Sequence, residues 1–574
     1  MAKIRVVNLL IAAGFILLWI ALFYLQIISF PQYHQLSQAN RIRILPQPAS
    51  RGRILDCNGN ILAADDLSYN LLLIPESRQF PQEQISKLSK ILSVSEEELK
   101  QEFSKKYTLP FVPLLLSEDL PLEQAVAIGQ LKYDLPRIDI QVVPKRVYTL
   151  GNVTSHILGY MGEIDVWRLE QLKEYGYKVQ DLIGYSGVEE VYDYILRPIE
   201  GGMQVEVDNR GRLSRILGIK AAKKGRDIQL TVDARIQKII HDNLKDKTGS
   251  VVVINPQDGE LIALASYPDF DPLVFQKGRA SLINPLLNDP DAPLFNRAIS
   301  GQYPPGSVFK VIVASAGIEK KKIGSSTTFI CSGELKVGNR QFSCWGLHGE
   351  ENIRDAIVHS CNVFFYNLGL SLGPQLINEY ALKFGLGQRT GIDLNAEATG
   401  YVPYSLWERI RRRRSWYPGD TANLSIGQGG LLVTPLQIAR MMAVFANGGK
   451  LIKPVLIKSI ENESNNLEPL SRNQSVNLLF SKETLEEVRK GLIGAVRDSG
   501  GTASVLSDLG VSVAGKTGSA QVGSGRAHGW FAGFFPVENP KFVICVFLEH
   551  GGSGYYACRV TRKIIEEMLK EKIL

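Results

Sequence analysis

At 574 residues with 45% hydrophobic side chains, the chain is too long for one ordinary domain and too apolar to be disordered, so at least two folded units are expected. Its 65 basic and 58 acidic residues leave a net charge of +7, too small an excess to indicate nucleic acid. The densest basic run, Arg411 to Arg414, reads as a solvated loop and not a binding patch.

Val6 to Phe30 holds no charged residue. At about 1.5 Å per residue such a helix crosses a hydrocarbon core of roughly 30 Å. The stretch is too long for a cleaved signal peptide, and Ser29-Phe30-Pro31-Gln32 lacks the small residues of a cleavage site. Lys3 and Arg5 keep residues 1–5 in the cytoplasm by the positive-inside rule. Residues 6–30 are therefore read as a single-pass anchor, with everything after Pro31 outside.

Residues 31–225 are mixed and polar, with extended segments at Tyr69 to Pro75 and Ile138 to Pro144 and a charged helical stretch from Ser95 to Lys106. Arg51 to Asp56 reads as a strand entering the Asn58-Gly59 turn. No reactive constellation stands out there, and the segment reads as a structural module.

After Asp227 the texture changes. Ile228 to Val232 reads as a strand and Ala234 to Leu244 as a helix. Val251 to Ile254 and Leu261 to Ala265 form a hairpin about the Asn255-Pro256-Gln257-Asp258-Gly259 turn. In Tyr303-Pro304-Pro305-Gly306-Ser307-Val308-Phe309-Lys310, Ser307 and Lys310 stand one helical turn apart on a shared face. The helix they open is apolar nearly all round and so expected to be buried. Desolvation lowers the pKa of a lysine there, which suits it to take a proton from a serine nucleophile in acyl transfer. Taken alone, Ser-x-x-Lys is common enough to arise by chance.

Downstream, Cys331, Cys344, His348 and Cys361 are separated by twelve, three and twelve residues. Three sulfurs and an imidazole make a full tetrahedral set for structural zinc, while one disulfide with a free thiol competes, because no Cys-x-x-Cys knuckle is present. Cys361 stands between Ser360 and Asn362. In an extended loop those two face one way and Cys361 the other, so a metal there would anchor the loop from behind. Cys57, Cys545 and Cys558 read as ordinary.

Near the C-terminus, Val511 to Val522, Trp530 to Pro536 and Phe542 to Leu548 are strand candidates. With the hairpin they make an antiparallel sheet of about five strands, its first pair far in sequence from its last three, with the helical region packed on it: an α+β domain over residues 226–574. The first of these strands carries Lys516-Thr517-Gly518-Ser519. Gly518 permits close backbone approach, and Lys516 and Thr517 offer charge and a donor to a terminal carboxylate.

Ser-x-x-Lys, Ser360-Cys361-Asn362 and Lys516-Thr517-Gly518, in that order, form the signature of penicillin-binding proteins and serine β-lactamases. Pro293 to Lys310, Asn423 to Gly449, Ala514 to Val522 and His528 to Pro536 resemble the transpeptidase domain of class B penicillin-binding proteins. Arg51 to Ala63, Gly151 to Gly162 and Gly184 to Arg197 resemble the elongated non-catalytic pedestal of that class. Ile426-Gly427-Gln428-Gly429 and His528-Gly529-Trp530-Phe531 are most similar to the penicillin-binding protein 2 branch, which serves cell elongation.

The resemblance implies a penicillin-recognising serine transpeptidase fold behind one membrane helix, in the cytoplasmic membrane with the catalytic domain outside. It implies that Ser307 attacks the penultimate D-alanine of a peptidoglycan stem, with Lys310, Ser360, Asn362 and Lys516 in the catalytic set and Thr517, Gly518 and Ser519 binding substrate. The backbone amides of Ser307 and Ser519 then form the oxyanion hole. The resemblance further implies that β-lactams acylate the same serine, that no cofactor serves catalysis and that zinc occupies the Cys/His segment. Expected partners are stem peptides, a RodA-type (SEDS) glycosyltransferase and an MreC-type scaffold, with no nucleic acid. Two other readings share these motifs: a scaffold that mainly activates the glycosyltransferase, and a β-lactamase or D,D-carboxypeptidase. Val308 and Ser519 stand where the family more often has threonine, and Leu273 where it has asparagine, which points to altered affinity and not to lost chemistry.

Overall fold

The computed structural model describes residues 2–34, 42–109, 112–131, 134–135, 137–207, 213–276, 278, 280–404, 415–470, 474–523 and 525–574; the basic run Arg411 to Arg414 lies outside them. Helix α1 (Ala2–Phe23) continues through a π-helical turn to Ile28. It is apolar around its whole circumference and exposed along its length, and among the described residues it alone is long and apolar enough to span a membrane. A helix surrounded by lipid needs no polar face.

Contacts divide the chain into two compact units. The first takes in the described residues up to Arg51, together with Asp65–Arg146 and Arg197–Gly225. In it, the part of strand β1 (Ile61–Leu73) beyond Ala64 pairs antiparallel with β2 (Leu114–Leu120), and β3 (Ile138–Tyr148) also pairs with β1. Helices α2 (Gln82–Leu92) and α3 (Glu96–Lys106) pack on these strands through Ile85, Leu88, Leu99 and Phe103. The start of α3 follows from sequence: Ser95 and Glu98 close a reciprocal capping box. The Ser95 to Lys106 expectation is met there.

The second unit comprises Gly52–Ala64, Val147–Leu196 and Arg226–Leu574. Helix α4 (Ala234–Leu244) precedes the hairpin β4 (Gly249–Ile254) and β5 (Leu261–Tyr267). Far downstream come β6 (Ala514–Ala520), β7 (His528–Phe535), β8 (Phe542–Leu548) and the final helix α5 (Gly554–Lys570). The five strands form one antiparallel sheet, as the strand pattern anticipates, and the structure sets their order as β5-β4-β8-β7-β6. β6 begins at Ala514 and not at Val511.

Strand β8 is hydrophobic without alternation because both sheet faces are covered. Val543, Cys545 and Phe547 join the core beneath the central helices, while Ile544, Val546 and Leu548 join the core made with α4 and α5. Truncating one such buried ring costs about 3–5 kcal/mol, so packing on both sides fixes where β6, at the sheet edge, lies.

Candidate active site

Pro305 and Gly306 lead into a single 3₁₀ turn, Gly306–Phe309, which runs directly into an α-helix, Lys310–Glu319. The continuous α-helix expected through Ser307 is thus two kinds of helix. Side chains three apart eclipse in 3₁₀ geometry, so the turn stacks Lys310 over Ser307 more directly than an α-helix would. Gly306 has φ +56°, and a Cβ on it would lie 2.7 Å from the Ser519 carbonyl. Gly427 has φ +75°, and its Cβ would meet the Gly306 carbonyl at 2.1 Å. Only glycine satisfies both the left-handed backbone and the close approach. Through these contacts β6 and the Ile426-Gly427-Gln428-Gly429 segment clamp the serine turn.

Ser307 is half-buried and opens onto a cleft of about 1210 Å³ that Ser360, Asn362, Thr517, Gly518 and Ser519 also line. Lys310 lies behind it, fully buried. Its Nζ donates to the Ser360 carbonyl at 2.7 Å, to Asn362 Oδ1 at 2.7 Å and to Ser360 Oγ at 3.3 Å. Among the described residues no hydrogen bond joins it to Ser307. Burial draws the Lys310 ammonium down to about 7, against a weaker opposing pull from Cys344 and Cys361. Lys516 is also fully buried, its Nζ bonded to the Thr517 carbonyl at 3.2 Å. Burial first, and then the charge of Lys310, push it well below the usual lysine range. The Thr517 hydroxyl donates to Thr502 Oγ1 at 2.9 Å, and Ser519 Oγ accepts from the Gly554 amide at 3.1 Å.

The segment carrying Ser360 is not an extended loop. Ser360 has φ +56°, directly after a short helix, Ile353–Val358. Cys361 is the N-cap of the next helix, Asn362–Lys383, its Sγ accepting from the Phe364 amide at 3.5 Å. The outcome for the side chains matches the expectation: Ser360 and Asn362 face the cleft, while Cys361 is buried away from it.

Behind that helix start, the ligand atoms of Cys331, Cys344, His348 and Cys361 all lie within 4.8 Å of one another. His348 Nδ1 is 3.5 Å from Cys331 Sγ and 3.6 Å from Cys344 Sγ. Tetrahedral zinc, with bonds of about 2.3 Å to sulfur and 2.0 Å to nitrogen, puts such donors roughly 3.5 Å apart. None of the six cysteines forms a disulfide. The Cys344 thiol is drawn down, chiefly by the Cys361 S–H that it accepts, and Cys361 is correspondingly pushed up. Cys344 Sγ also accepts from the Asn362 amide at 3.2 Å. Amide donors at a helix N-terminus stabilise thiolate, so the donor set, its spacing and its charge all fit a zinc ion. Cys545 and Cys558 are buried in the core, with thiols raised by burial, and Cys57 lies in a turn.

Sequence reading missed part of the cleft wall. Arg340, Phe342 and Trp345 line it from the small lobe between Cys331 and Glu351, and Thr502 and Tyr555 from elsewhere. The Ser343 carbonyl accepts from Asn362 Nδ2 and Tyr366 Oη, each at 3.2 Å, tying that lobe to the Ser360 segment. The spacing of the candidate metal ligands was the one available signal, since it closes a lobe next to Ser360.

Residues 249–570 match the family described as penicillin binding protein transpeptidase domain, and residues 46–230 the penicillin-binding protein dimerisation domain. The chain is 31% identical over 581 residues to the peptidoglycan D,D-transpeptidase MrdA of Haemophilus influenzae, covering 96% of this chain and 89% of that one. It superposes with TM-score 0.80 at 28% identity on the penicillin-binding protein (PBP2) in complex with MreC from Helicobacter pylori, covering 93% and 99% of the two chains. A protein in a peptidoglycan synthase complex that coordinates polymerization and crosslinking matches with TM-score 0.77 at 28% identity, covering 98% and 97%.

Proposed function

The chain belongs to the penicillin-binding proteins and is a serine-type peptidoglycan D,D-transpeptidase, and from that premise we propose that Ser307 is its acylating nucleophile and Lys310 its base. The observation that carries this reading is the Lys310 amine: buried, drawn to about 7 and bonded to both polar residues of the Ser360-Cys361-Asn362 motif. At neutral pH about half of such amines are unprotonated, near the optimum for general-base work.

Ser307 Oγ attacks the carbonyl carbon of the penultimate D-alanine and passes its proton to Lys310 Nζ. The backbone amides of Ser307 and Ser519 hold the oxyanion. As the C–N bond breaks, the proton moves from Lys310 through Ser360 Oγ, 3.3 Å away, to the departing D-alanine. Asn362 orients the peptide backbone. Thr517, turning its hydroxyl from Thr502 Oγ1, donates to the terminal carboxylate, with Lys516 buried beneath it shaping the potential and Gly518 leaving room for the substrate. The amine of a second stem then attacks the ester, gives its proton back through Lys310 and releases Ser307, leaving a crosslink. A β-lactam enters by the same first step and stays bound.

Zinc held by Cys331, Cys344, His348 and Cys361 would supply structural cross-links and no chemistry on the substrate. Those four residues seat the start of the Asn362 helix, and through it Ser360 and Asn362, against the lobe that walls the cleft. Residues 31–225 would act as a non-catalytic pedestal. The protein is read as single-pass, with its N-terminus in the cytoplasm and its catalytic unit outside, serving cell-wall elongation and shape. The relatives found with MreC and in a peptidoglycan synthase complex support an MreC-type scaffold and a RodA-type polymerase as partners.

The test is intact-mass analysis after incubation with a penicillin. One stable adduct that disappears in Ser307→Ala is expected. Rapid drug turnover without an adduct would favour a lactamase, and no adduct at all would leave only a scaffold.

A further inference from the structure

Ala527 and Gly552 line the active-site cleft on one side and, on the other, a second cavity of about 790 Å³. Four cationic side chains, Lys247, Arg526, Arg559 and Lys563, stand around it against two carboxylates, Asp246 and Glu549. Glu549 is already taken by Arg297 at 2.8 Å. Among the described residues Arg526, Arg559 and Lys563 have no ion pair. Among the described residues Lys247 Nζ reaches only carbonyls, those of Asn243 at 3.0 Å and Lys245 at 3.2 Å. Burial, and then the charge of Lys563, push the Lys247 ammonium toward its neutral form. Cations gathered round a cavity with so little counter-charge raise the local concentration of anions. Arg526 itself is held in place: His550 Nδ1 bonds its carbonyl at 3.1 Å, and the His550 amide donates to His528 Nδ1 at 3.0 Å.

The direction of the substrate connects this cavity to the reaction. β6 is an edge strand, and an extended peptide adds to such an edge. With the terminal carboxylate at Thr517 and the scissile carbonyl at Ser519, the donor runs antiparallel to β6. Its upstream residues, at about 3.3 Å each, pass Ala520 toward the β6–β7 turn and Ala527. We propose that the cavity is an anion subsite for a free carboxylate carried by the donor stem peptide upstream of its D-alanyl-D-alanine end. The proposal rests on the assignment of Ser307, Thr517 and Ser519 above.

The test uses the full-length protein in detergent and two pentapeptide donors ending in D-alanyl-D-alanine, one with a free α-carboxylate on its glutamyl residue and its amidated twin. Release of D-alanine at low salt is expected to favour the free acid by about tenfold, the worth of one charge-assisted hydrogen bond. The preference should shrink as salt is raised. In Arg559→Gln/Lys563→Gln it should fall to near unity, while acylation by benzylpenicillin, which carries no upstream peptide, is unchanged. Equal rates for the two donors in the unaltered protein overturn the proposal without any variant, as does a preference that survives the double substitution. A preference that follows the carboxylate of the acceptor amine, and not of the donor, assigns the cavity to the second stem and overturns it too. Failure of benzylpenicillin to label the unaltered protein would instead refute the Ser307 assignment.

Discussion

Lys310 shows how enclosure suits one side chain to the role proposed for it. In water its ammonium would be inert as a base. Inside the second unit it has lost that water and kept three oxygen acceptors, so its proton is held loosely near neutrality. The sign follows: only the neutral amine accepts the Ser307 proton, and its share grows as pH rises through about 7. The rate of penicillin acylation, measured by stopped-flow from about pH 5 to 9, should climb about tenfold per unit on the acid side and level above about pH 7. A flat profile would remove Lys310 as the base. Lys310→Arg, whose guanidinium stays charged, should lose about 10²- to 10⁴-fold in acylation rate.

At the scale of elements, the start of the Asn362–Lys383 helix does two jobs. Its first turn presents Asn362 to the cleft, and its N-cap residue, Cys361, turns away into the sulfur cluster. The motif residues were legible because their order and type are distinctive. Their conformation was not, since a serine at φ +56° leaves no glycine or proline in the sequence to announce it. The 3₁₀ turn under Ser307 escaped for a related reason: 3₁₀ and α turns place the same residue types on one face, and neighbours at Ser519 and Gly427 select between them. Elemental analysis should find one zinc per chain. Removing it with a chelator, or by Cys361→Ala, should slow penicillin acylation about 10- to 100-fold, as loss of a supporting shell does at other ordered sites. Cys57→Ser should leave zinc content and acylation as they were. Metal-free protein with a disulfide in the cluster would refute the zinc assignment.

For the whole molecule, α1 and the five-stranded sheet were the features written most openly in the sequence. Each follows from a local pattern in the chain: a helix apolar on all sides, and short apolar runs separated by turn residues. A protein lacking residues 1–30 should leave the membrane fraction on cell fractionation and still take up penicillin at the rate of the full chain. Retention of that truncated protein in membranes would show that the anchor lies elsewhere.

From the amino-acid sequence alone came the anchor, the strands of an antiparallel sheet of about five, the three ordered motifs and the four metal-ligand candidates, because period, apolar run length and ordered motifs are local properties of the chain. Tertiary structure decided the rest: that Lys310 is dry enough to be a base, that the lobe between Cys331 and Glu351 walls the cleft, and that Lys247, Arg526, Arg559 and Lys563 surround one cavity. Desolvation and the summed field of charges depend on which distant residues enclose a group, and only the packing of strands and helices far apart in sequence settles that.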